Sequence, residues 1–559
     1  MTGKLKIGVL LDGFLIQAWQ YSVIAGLRNS DHAEIKLLIV ESPDSSLQPK
    51  ALHRINPVIR FHEKLDNIIF GGKDSYSKEK DIRKLVDTVP GISVKKSEGG
   101  EWLFDEITLS EIRKYELDVI LSFGSGTLKG EILEFPSYGV WYFPMSGKNG
   151  TAGLTAGYRE VVTVEPVTQA SLAIQNAWEG GDKVIESSYE STCSYSIKIT
   201  RNKIFWRSSL FIFRVLAGLQ RGGKNYLNAL IDKNKQENEI IGLQYRLPET
   251  AEATENIFRN ASITIRKMIK KIFYTDAFSW VLCFGSGKRD QVESFQDNFT
   301  GFKTIHPTKG KFWADPFVIS KDGNHYIFVE EFIYRKNRAH LSVLTLDSSA
   351  NLLDRQIILD KPYHLSYPFI FKYDETYFMI PESSENRTID LYRCTYFPDR
   401  WVFMKTIMKD LKAVDTTLFF HNNKWWLFTV IDETEGISGC ETELFLFYSD
   451  SPFSDHWESH PMNPVVADAR KARPAGNLFI SSGRIYRPSQ DCSVRYGNSL
   501  NLNEIIELSE TGYEEKEIYK NKPVWDKKFK GMHTFNSDHD FMIIDAYTYH
   551  RRNLLDFLR

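Results

Sequence analysis

The second half of the chain repeats one pattern five times, and four of the repeats carry an ionisable residue at an equivalent position. These are Asp315 and Asp415 in the first and third repeats, and Arg473 and His533 in the fourth and fifth. A buried charge must be paired or hydrogen-bonded. Four such residues at matching positions therefore favour a ligand site. The alternative interpretation is that they cap strand ends and neutralise one another.

Further polar residues stand near the ends of neighbouring strands. Glu331 and Glu382 each end the second strand of a repeat, from which a carboxylate could reach the mouth of a shared channel, although a solvated strand end explains Glu331 equally well. Arg487 and Asp491 belong to a dense polar set in RIYRPSQD, residues 484–491. Sugar hydroxyls or phosphate are natural partners for such a set.

The element that must position these residues is a β-hairpin. In KFWADPFVISKDGNHYIFVEE, residues 311–331, an apolar run meets a polar turn and a second run rich in aromatic and β-branched residues returns, which is typical of a hairpin. Related units begin at His364, Ala413, Lys471 and Gly531. A period of roughly 50–60 residues is in the range of propeller blades. We therefore predict a five-bladed β-propeller over residues 295–559, whose innermost strands line a central channel.

The first part of the chain has a different pattern. Residues 17–27 have a clear helix pattern. Continuous apolar runs lie on either side of it, at 6–11 and 35–40, and two more follow at 117–123 and 138–143. Such runs predict a parallel sheet covered by helices, in an α/β domain over residues 1–210. Glycine clusters at 124–126 and 147–153 follow two of the strands, and they are either anion-binding amides or simple turns.

A connector is predicted over residues 211–294. Gly222-Gly223 and the polar run DKNKQENE at 232–239 suggest a linker, and an amphipathic helix at 252–273 with a basic end follows. Such a helix either lies on an anionic membrane surface or packs its apolar side on a domain. FSWVLCF, residues 278–284, is predicted to be a strand that closes the propeller ring.

Composition excludes several classes of protein. The formal net charge is −2, which gives no basis for nucleic-acid binding. The five cysteines are widely spaced without a Cys-x-x-Cys pair, which argues against structural zinc and a disulfide framework. Asp538-His539-Asp540 is interpreted as a turn, and no metal site is predicted. Since neither a signal peptide nor a membrane-spanning run is recognisable, we expect a cytoplasmic protein, and peripheral contact with a membrane stays open.

Two stretches of the first domain resemble the formyltransferase fold. They are LDVILSFGSGTLKGEILEFPSYGVWYFP (117–144) and REVVTVEPVTQASLAIQNAWEGGDKVI (159–185). Where that family carries Asn-x-His, this chain reads Trp-Tyr-Phe-Pro-Met at 141–145, and the later acidic position is Glu179. The resemblance implies a formyltransferase-like domain that has lost its catalytic imidazole.

The repeats resemble the five-bladed domain of the glucosamine inositolphosphorylceramide transferase family and, more distantly, glycoside hydrolases of the arabinanase and xylosidase type. The matching segments are FWADPF, YIFVEEF, SYPFIF, YFMIPES, DTTLF, WWLFT, RPAGNLF, GRIYRPSQDCSVRYG and GMHTFN. The hydrolases use an Asp base on the first blade, a second Asp on the third and a Glu acid on the fourth. Asp315 and Asp415 match the first two, but Arg473-Pro474-Ala475-Gly476-Asn477 stands where the Glu would begin its strand.

This departure favours transfer over hydrolysis, because hydrolysis needs two carboxyl groups whereas an arginine suits an anionic leaving group. The predicted function is a glycosyltransferase-like enzyme of cell-surface polysaccharide or glycolipid synthesis. Asp315 is the predicted base, Asp415 orients it, and Arg473, Arg487 and His533 hold the leaving group. A hydrolase that uses Glu382 and a non-catalytic carbohydrate-binding protein stay open as alternatives. The sequence specifies no cofactor, leaves a nucleotide sugar open as the donor, and does not define an oligomeric state.

Overall fold

The computed structural model describes residues 3–42, 57–72, 75–144, 156–175, 181–235, 250–286 and 291–551. The chain forms two compact units, which divide between Thr264 and Ile265. The glycine cluster at 147–153 and Glu179 lie outside the described residues. In the described part of the chain, no helix is both long enough and apolar enough to cross a membrane.

The first unit is built on a mostly parallel sheet. Its strands are β1 (Leu5–Leu11), β2 (Leu15–Gln17), β3 (Ala33–Glu41), β4 (Glu79–Asp81), β5 (Gly91–Lys96), β6 (Trp102–Leu103), β7 (Val119–Ser122), β8 (Val140–Tyr142), β9 (Val167–Ile174) and β10 (Lys183–Ser191). Eight of them form one sheet in the order β10-β9-β8-β7-β1-β3-β5-β6, while β2 pairs with β4. β1 is parallel to both β3 and β7, as the continuous apolar runs predict, and only the edges of the sheet are antiparallel. The predicted α/β class is confirmed.

Helices cover this sheet. The helices of the first unit are α1 (Ala18–Arg28), α2 (Pro57–Phe70), α3 (Glu106–Arg113), α4 (Tyr158–Thr163) and α5 (Ile197–Lys233). α6 (Thr250–Phe273) runs across the division between the units, and α7 (Gln291–Gln296) belongs to the second unit. α5 runs across the predicted boundary at residues 210 and 211, and the predicted linker around Gly223 is a kink within this helix, with φ 55° and ψ −144°. Buried residues of α5 such as Phe211 and Val215 belong to the core of the first unit, which explains why the helix continues there.

The Gly124 turn does not present a free anion-binding amide. The backbone N–H of Ser125 donates to both carboxylate oxygens of Asp12, at 2.8 and 2.9 Å. A side chain at Gly124 would collide with Leu10 and Trp102, so the glycine allows a close approach of these elements. The turn interpretation of this cluster therefore fits the structure better than the anion site.

The second unit is a five-bladed β-propeller. Its strands are β11 (Tyr274–Ser286), β12 (Lys303–Ile305), β13 (Lys311–Lys321), β14 (Asn324–Ile333), β15 (Arg338–Leu346), β16 (Leu352–Leu359), β17 (Ser366–Tyr373), β18 (Thr376–Ser383), β19 (Thr388–Tyr396), β20 (Arg400–Lys409), β21 (Ala413–His421), β22 (Lys424–Ile431), β23 (Glu443–Ser449), β24 (Glu458–Ser459), β25 (Val466–Ala467), β26 (Phe479–Ser481), β27 (Arg484–Asp491), β28 (Ser499–Leu508), β29 (Tyr513–Asn521), β30 (Phe535–Asp538) and β31 (Phe541–Arg551). They form the sheets β13–β16, β17–β20, β21–β25, β26–β29 and β12-β11-β31-β30. The predicted five-bladed propeller is confirmed.

The fifth blade joins the two ends of the propeller sequence. β11 pairs antiparallel with β31, with Leu282 opposite Asp545 and Phe284 opposite Ile543. β11 therefore occupies a blade whose other long strand comes from the far end of the chain. The predicted ring-closing strand at 278–284 lies within β11, as expected from the sequence.

Candidate active site on the propeller axis

Three blades bend their innermost strand at the same point. Asp315 in β13, Tyr367 in β17 and Asp415 in β21 all have positive φ angles, of 50°, 42° and 52°. At each of them the pairing with the second strand of the blade shifts register, as in a β-bulge. A bulge re-aims a side chain, and a left-handed conformation is unusual for any residue other than glycine. The same local device therefore positions the candidate residues of three blades.

Asp315, His533 and Asp545 form a buried ionic triad. The His533 imidazole lies between the two carboxylates, with Nδ1 at 2.7 Å from Asp545 Oδ2 and Nε2 at 3.2 Å from Asp315 Oδ1. The Thr534 hydroxyl donates to Asp315 Oδ1 at 2.9 Å, and the backbone N–H of Tyr367 donates to Asp315 Oδ2 at 3.2 Å. The triad joins the first and fifth blades, and the Tyr367 N–H ties the second blade to it.

The pKa values of the triad depart from those of free side chains. Burial raises the pKa of the Asp315 carboxyl to about 7, even though the neighbouring His533 opposes this rise. Burial alone would lower the pKa of His533, but the charges of Asp545 and Asp315 outweigh it and raise this pKa to about 9. The imidazole is therefore protonated at neutral pH and compensates the charge of the carboxylates.

A second cluster lies around Asp415. The Arg473 guanidinium contacts both of its oxygens, with Nε at 2.5 Å from Oδ2 and Nη2 at 3.4 Å from Oδ1. Gln490 Nε2 donates to the same Oδ2 at 2.9 Å. Glu382 completes the cluster, since its Oε2 lies 3.8 Å from Arg473 Nη2. The guanidinium is thus shared by two carboxylates.

Glu382 contributes to the electrostatic environment of Asp415. Burial raises the pKa of Asp415 to about 7, and the charge and hydrogen bonding of Glu382 add to this rise while Arg473 opposes it. Two carboxyl groups in one site favour a state in which one of them is protonated. A protonated carboxyl beside an ionised one is the arrangement that acid–base chemistry requires.

The charged side chains of the two clusters differ in their exposure to solvent. The side chains of Glu382 and Arg473 are each 11% exposed, whereas those of Asp315 and Asp415 are 4% and 2% exposed. Glu382 Oε2 is buried and has no hydrogen-bond partner among the described residues. A ligand entering the axis would therefore meet Glu382 and Arg473 before it met either aspartate.

Aromatic rings hold the two clusters together. Trp280 stacks on the His533 ring, with centroids 3.9 Å apart, and Tyr496 meets the same ring edge-on at 5.1 Å. Arg473 lies over the Tyr496 ring at 4.8 Å from its centroid. The cations of both clusters are thus packed on aromatic faces, which is a favourable contact in a desolvated site.

A third ionic pair, Glu330 and His364, adds to the same electrostatic environment. Glu330 Oε1 lies 3.3 Å from His364 Nε2, and the His364 side chain is 34% exposed. The neighbouring carboxylates, Glu330 first, raise the pKa of His364 to about 9 despite its partial burial. Glu330 is among the groups that raise the pKa of Asp315.

Three predicted substrate-binding residues are instead engaged within single blades. Glu331 is fully buried and binds Lys311, Trp313 and Arg355 of the first blade. Arg487 makes two hydrogen bonds of 2.8 Å to the Glu515 carboxylate. Asp491 pairs with Lys520 at 2.7 Å and accepts from the Ser493 amide and hydroxyl. These contacts correct the expectation that the three side chains are available to a ligand, because each charge is already compensated inside its own sheet.

Several residues that surround Asp315 and Asp415 were not predicted from the sequence. Asp545 stands alone in the apolar stretch FMIIDAY, residues 541–547, and a single acid inside a buried strand is a signal of a paired charge. His364 begins the second repeat and was named only as its boundary. Trp280 and Tyr496 carry no such signal, because aromatic residues are abundant in every blade.

Asp315, His533 and Asp545 also offer ligand atoms that lie within 4.8 Å of one another, a spacing that could hold a metal ion. The protonated imidazole between the two carboxylates accounts for this spacing without one. The geometry therefore gives no reason to add a metal to the site.

Comparison with known families identifies the propeller. Residues 303–548 match the family model described as "Glucosamine inositolphosphorylceramide transferase 1, N-terminal". The propeller is similar to that domain. The resemblance predicted from the five repeats is thereby confirmed, whereas the formyltransferase-like character of the first unit stays a prediction.

Two curated relatives show how far this similarity extends. Glucosamine inositolphosphorylceramide transferase 1 of Oryza sativa subsp. japonica is 36% identical over 225 residues, which are 39% of this chain and 29% of the relative. The Arabidopsis thaliana protein of the same name is 33% identical over 210 residues, which are 37% of this chain and 27% of the relative. The chain thus spans less than a third of the length of these relatives.

Solved structures show weaker likeness. An α-L-arabinofuranosidase from Podospora anserina has 11% identity and a TM-score of 0.33, over 44% of this chain and 93% of that chain. The catalytic domain of an α-L-arabinofuranosidase from Coprinopsis cinerea has 10% identity and a TM-score of 0.34, over 48% of this chain and 97% of that chain. At these scores the assignment of the propeller rests on its five observed sheets.

Proposed function

We propose that the chain is a glycosyltransferase-like enzyme that transfers a sugar onto a glycolipid or cell-surface polysaccharide precursor at the propeller axis. The observation that carries the proposal is the pairing of Glu382 with Asp415 and Arg473 in a nearly closed polar site. The similarity of the propeller to a glucosamine inositolphosphorylceramide transferase domain supports the substrate class.

In the proposed step, Glu382 accepts the proton of an acceptor hydroxyl. The hydroxyl oxygen forms a bond to the anomeric carbon of the donor sugar, and the bond to the leaving group breaks with its electron pair going to that group. Glu382 suits this role because its Oε2 accepts no hydrogen bond from the described residues, with Arg473 Nη2 at 3.8 Å, and because its side chain is the more accessible of the paired carboxylates. Asp415 and Arg473 position it. In this proposal Glu382 takes the proton-accepting role that the sequence predicts for Asp315, and Asp315 orders the axis through its contact with His533.

Arg473 is less available to an anionic leaving group than the sequence predicts. The Arg473 charge is already shared between Asp415 and Glu382, so a diphosphate would have to displace a carboxylate to bind it. Arg487 is enclosed by Glu515 and is therefore not part of the proposed site. A nucleotide sugar remains the proposed donor, and its sugar ring, rather than its phosphates, is the part that meets the carboxyl pair.

Sugar transfer by the E382Q and D315N variants tests these roles. We expect E382Q to lose at least ~100-fold in rate, because a general base contributes about that much. D315N should lose rate as well, because it removes a charge that holds His533 in place. Circular dichroism and melting temperature show whether the fold is retained. Transfer at the parental rate by E382Q would contradict the proposed proton acceptor, and the same result for D315N would leave Asp315 with a structural role only.

Glycoside hydrolysis is the second candidate function, and the raised pKa of Asp415 beside Glu382 favours it. A protonated and an ionised carboxyl group are what a glycosidase places on either side of the scissile bond. Incubation with a labelled glycoside, with and without an acceptor alcohol, separates the two functions. Release of free sugar that is insensitive to acceptor supports hydrolysis, whereas product that forms only with acceptor supports transfer. Glycan binding without either product would indicate a non-catalytic carbohydrate-binding protein.

A further inference from the structure

Helix α2 of the first unit exposes a stripe of four large apolar side chains. Phe61, Leu65, Ile68 and Ile69 are 59%, 38%, 71% and 56% exposed. Their spacing of four, three and one residues places them on one face of the helix. Contiguous exposed apolar surface of this kind marks an interaction site on a soluble protein more often than a chance arrangement.

The stripe is held outward by contacts on the opposite face. Glu63 of α2 accepts a hydrogen bond from Arg201 of α5 at 2.6 Å. Asp66 accepts from the backbone N–H of Lys198 at 2.6 Å and from the Ser196 hydroxyl at 3.2 Å. Rotation of α2 to bury the stripe would break the buried ion pair of Glu63 and the buried hydrogen bonds of Asp66, which is unfavourable. The apolar face is therefore a fixed outer surface of the unit.

The charges on α2 are divided between its two faces. Both of its acidic residues, Glu63 and Asp66, are buried against α5. Both of its basic residues, Arg60 and Lys64, are exposed and alternate along the helix with the stripe. The exposed face of this helix thus combines large apolar side chains with positive charge and carries no negative charge.

We propose that α2 docks the first unit on the surface of an anionic lipid bilayer. Phe61, Leu65, Ile68 and Ile69 would enter the boundary between headgroups and acyl chains, and Arg60 and Lys64 would contact lipid phosphates. An amphipathic helix with an apolar face and basic flanks lies in the membrane interface in this way, and the negative surface potential of the bilayer adds attraction for each basic residue. At 14 residues the helix is short, so the contact is reversible and depends on anionic lipid.

The occupant is assigned from charge complementarity. An anionic bilayer satisfies both the apolar stripe and the two cations, and it needs no shaped partner surface. From the sequence, membrane contact is one alternative for the predicted basic helix at 252–273. The present proposal rests instead on the exposed apolar side chains of α2. The proposal is independent of the reaction proposed for the propeller, because it concerns a surface of the other unit.

Co-sedimentation of the whole 559-residue chain with vesicles tests the docking. Vesicles of phosphatidylcholine alone are compared with vesicles that also contain phosphatidylserine. We expect binding to the anionic vesicles, weakening as salt rises because screening reduces the attraction, and weak binding to the neutral ones. Absence of binding to anionic vesicles at low salt would overturn the proposal.

Two variants identify the surface. F61S/I68S should weaken binding to anionic vesicles by more than ~10-fold, since two large apolar groups no longer leave water. R60E/K64E should lose the preference for anionic over neutral vesicles. The matched control is I107S, which removes one 78% exposed apolar side chain of α3 outside the stripe, and it should bind like the parent. All variants should melt within a few degrees of the parent, as expected for exposed positions.

Other outcomes overturn the assignment. If F61S/I68S bound vesicles as well as the parent, α2 would not be the docking surface. If light scattering showed that the parent is a dimer and F61S/I68S a monomer, the stripe would be a self-association surface instead. Binding involves no turnover, so failure of the docking and failure of the proposed sugar transfer are separate results.

Discussion

At the scale of single residues, the two aspartates of the axis differ in the partner that balances each charge. Asp315 faces an imidazole that can lose its proton, whereas Asp415 faces a guanidinium that stays charged. Both carboxyls have a pKa raised to about 7 by burial. Their protonation therefore changes within the physiological range, and this change is measurable.

The D415N variant should gain stability relative to the parent as pH rises from about 4 to about 7. In the parent, the folded pKa of Asp415 is about 7 and the unfolded value is 3.8, so the folded state holds a proton that the unfolded state has lost. The stability of the parent therefore falls across this window, and D415N lacks this loss. Urea unfolding midpoints at pH 5 and pH 8 measure the change. A constant difference between the two proteins would contradict the raised pKa.

Removing Arg355 should destabilise the first blade without impairing sugar transfer. Arg355 compensates the fully buried Glu331 carboxylate, whose pKa is lowered by Arg355, Lys311 and Trp313 although burial opposes this. R355A leaves Glu331 with one cation fewer, and we expect a loss of about 2–4 kcal/mol in the free energy of unfolding.

The matched control for Arg355 is R338A, which breaks a more exposed pair with Asp360 of similar length and should lose at most about 1 kcal/mol. Chemical denaturation gives both values. A folded R355A protein with strongly reduced transfer would restore Glu331 to the site.

At the scale of elements, Tyr367 connects three blades. Its hydroxyl lies 2.9 Å from Thr417 Oγ1 of the third blade and accepts a hydrogen bond of 2.8 Å from the Gly476 N–H that precedes β26. Its own φ of 42° is strained for a residue with a large side chain. These contacts hold the innermost strands at a fixed relative position where the ionic clusters begin.

The Y367F variant should lose about 1–3 kcal/mol of stability, because a buried Gly476 N–H is left without its acceptor. Y396F is the control, since Tyr396 is 64% exposed and makes no comparable bridge, and it should unfold like the parent. Differential scanning calorimetry compares the two. Equal melting temperatures would show that the hydroxyl does not tie the blades together.

The structural features that could be predicted best are those that a local sequence pattern determines. Alternating apolar runs and polar turns recur in every blade, so the hairpins and their number were predictable. The equivalent positions of Asp315 and Asp415 in their repeats were predictable for the same reason. Glu331, Arg487 and Asp491 show the opposite case. Their partners Arg355, Glu515 and Lys520 lie on strands 24 or more residues away, and the register that joins them follows from sheet pairing and not from any local pattern.

The first unit shows the same limit. The strands of the parallel sheet were predictable from their apolar runs, but α5 was divided between two predicted segments because Gly222 and Gly223 read as a linker. The backbone leaves the helical conformation at Gly223 and the helix then resumes, because apolar residues on both sides of the kink, such as Leu219 and Leu227, are buried in the core of the first unit. Tertiary packing of this kind is not visible in a short window of sequence.

At the scale of the whole molecule, the His533 triad couples propeller stability to pH. The folded pKa of His533 is about 9 and its ordinary value is 6.5, so the contribution of the protonated imidazole is fully present below pH 6.5 and is lost as pH rises through 9. The groups that face this imidazole are Asp315 and Asp545, with Asp415 further away.

The stability advantage of the parent over an H533Q variant should therefore be larger at pH 6 than at pH 10. Unfolding by urea, followed through tryptophan fluorescence, measures both proteins at both values. An advantage that stays the same at the two values would show that the imidazole is neutral in the folded protein.

The pairing of β11 with β31 also fixes the order in which the protein can be completed during synthesis. β11 leaves the ribosome before any blade exists, and its partner β31 follows only after the strands of the other four blades. Until then only the short strand β12 can pair with β11, at residues 282–284, and the other edge of this apolar strand stays open, a state that invites wrong pairing. Ribosome-bound chains that end before Phe541 should consequently be cleaved by protease within β11, whereas the released chain should resist cleavage there.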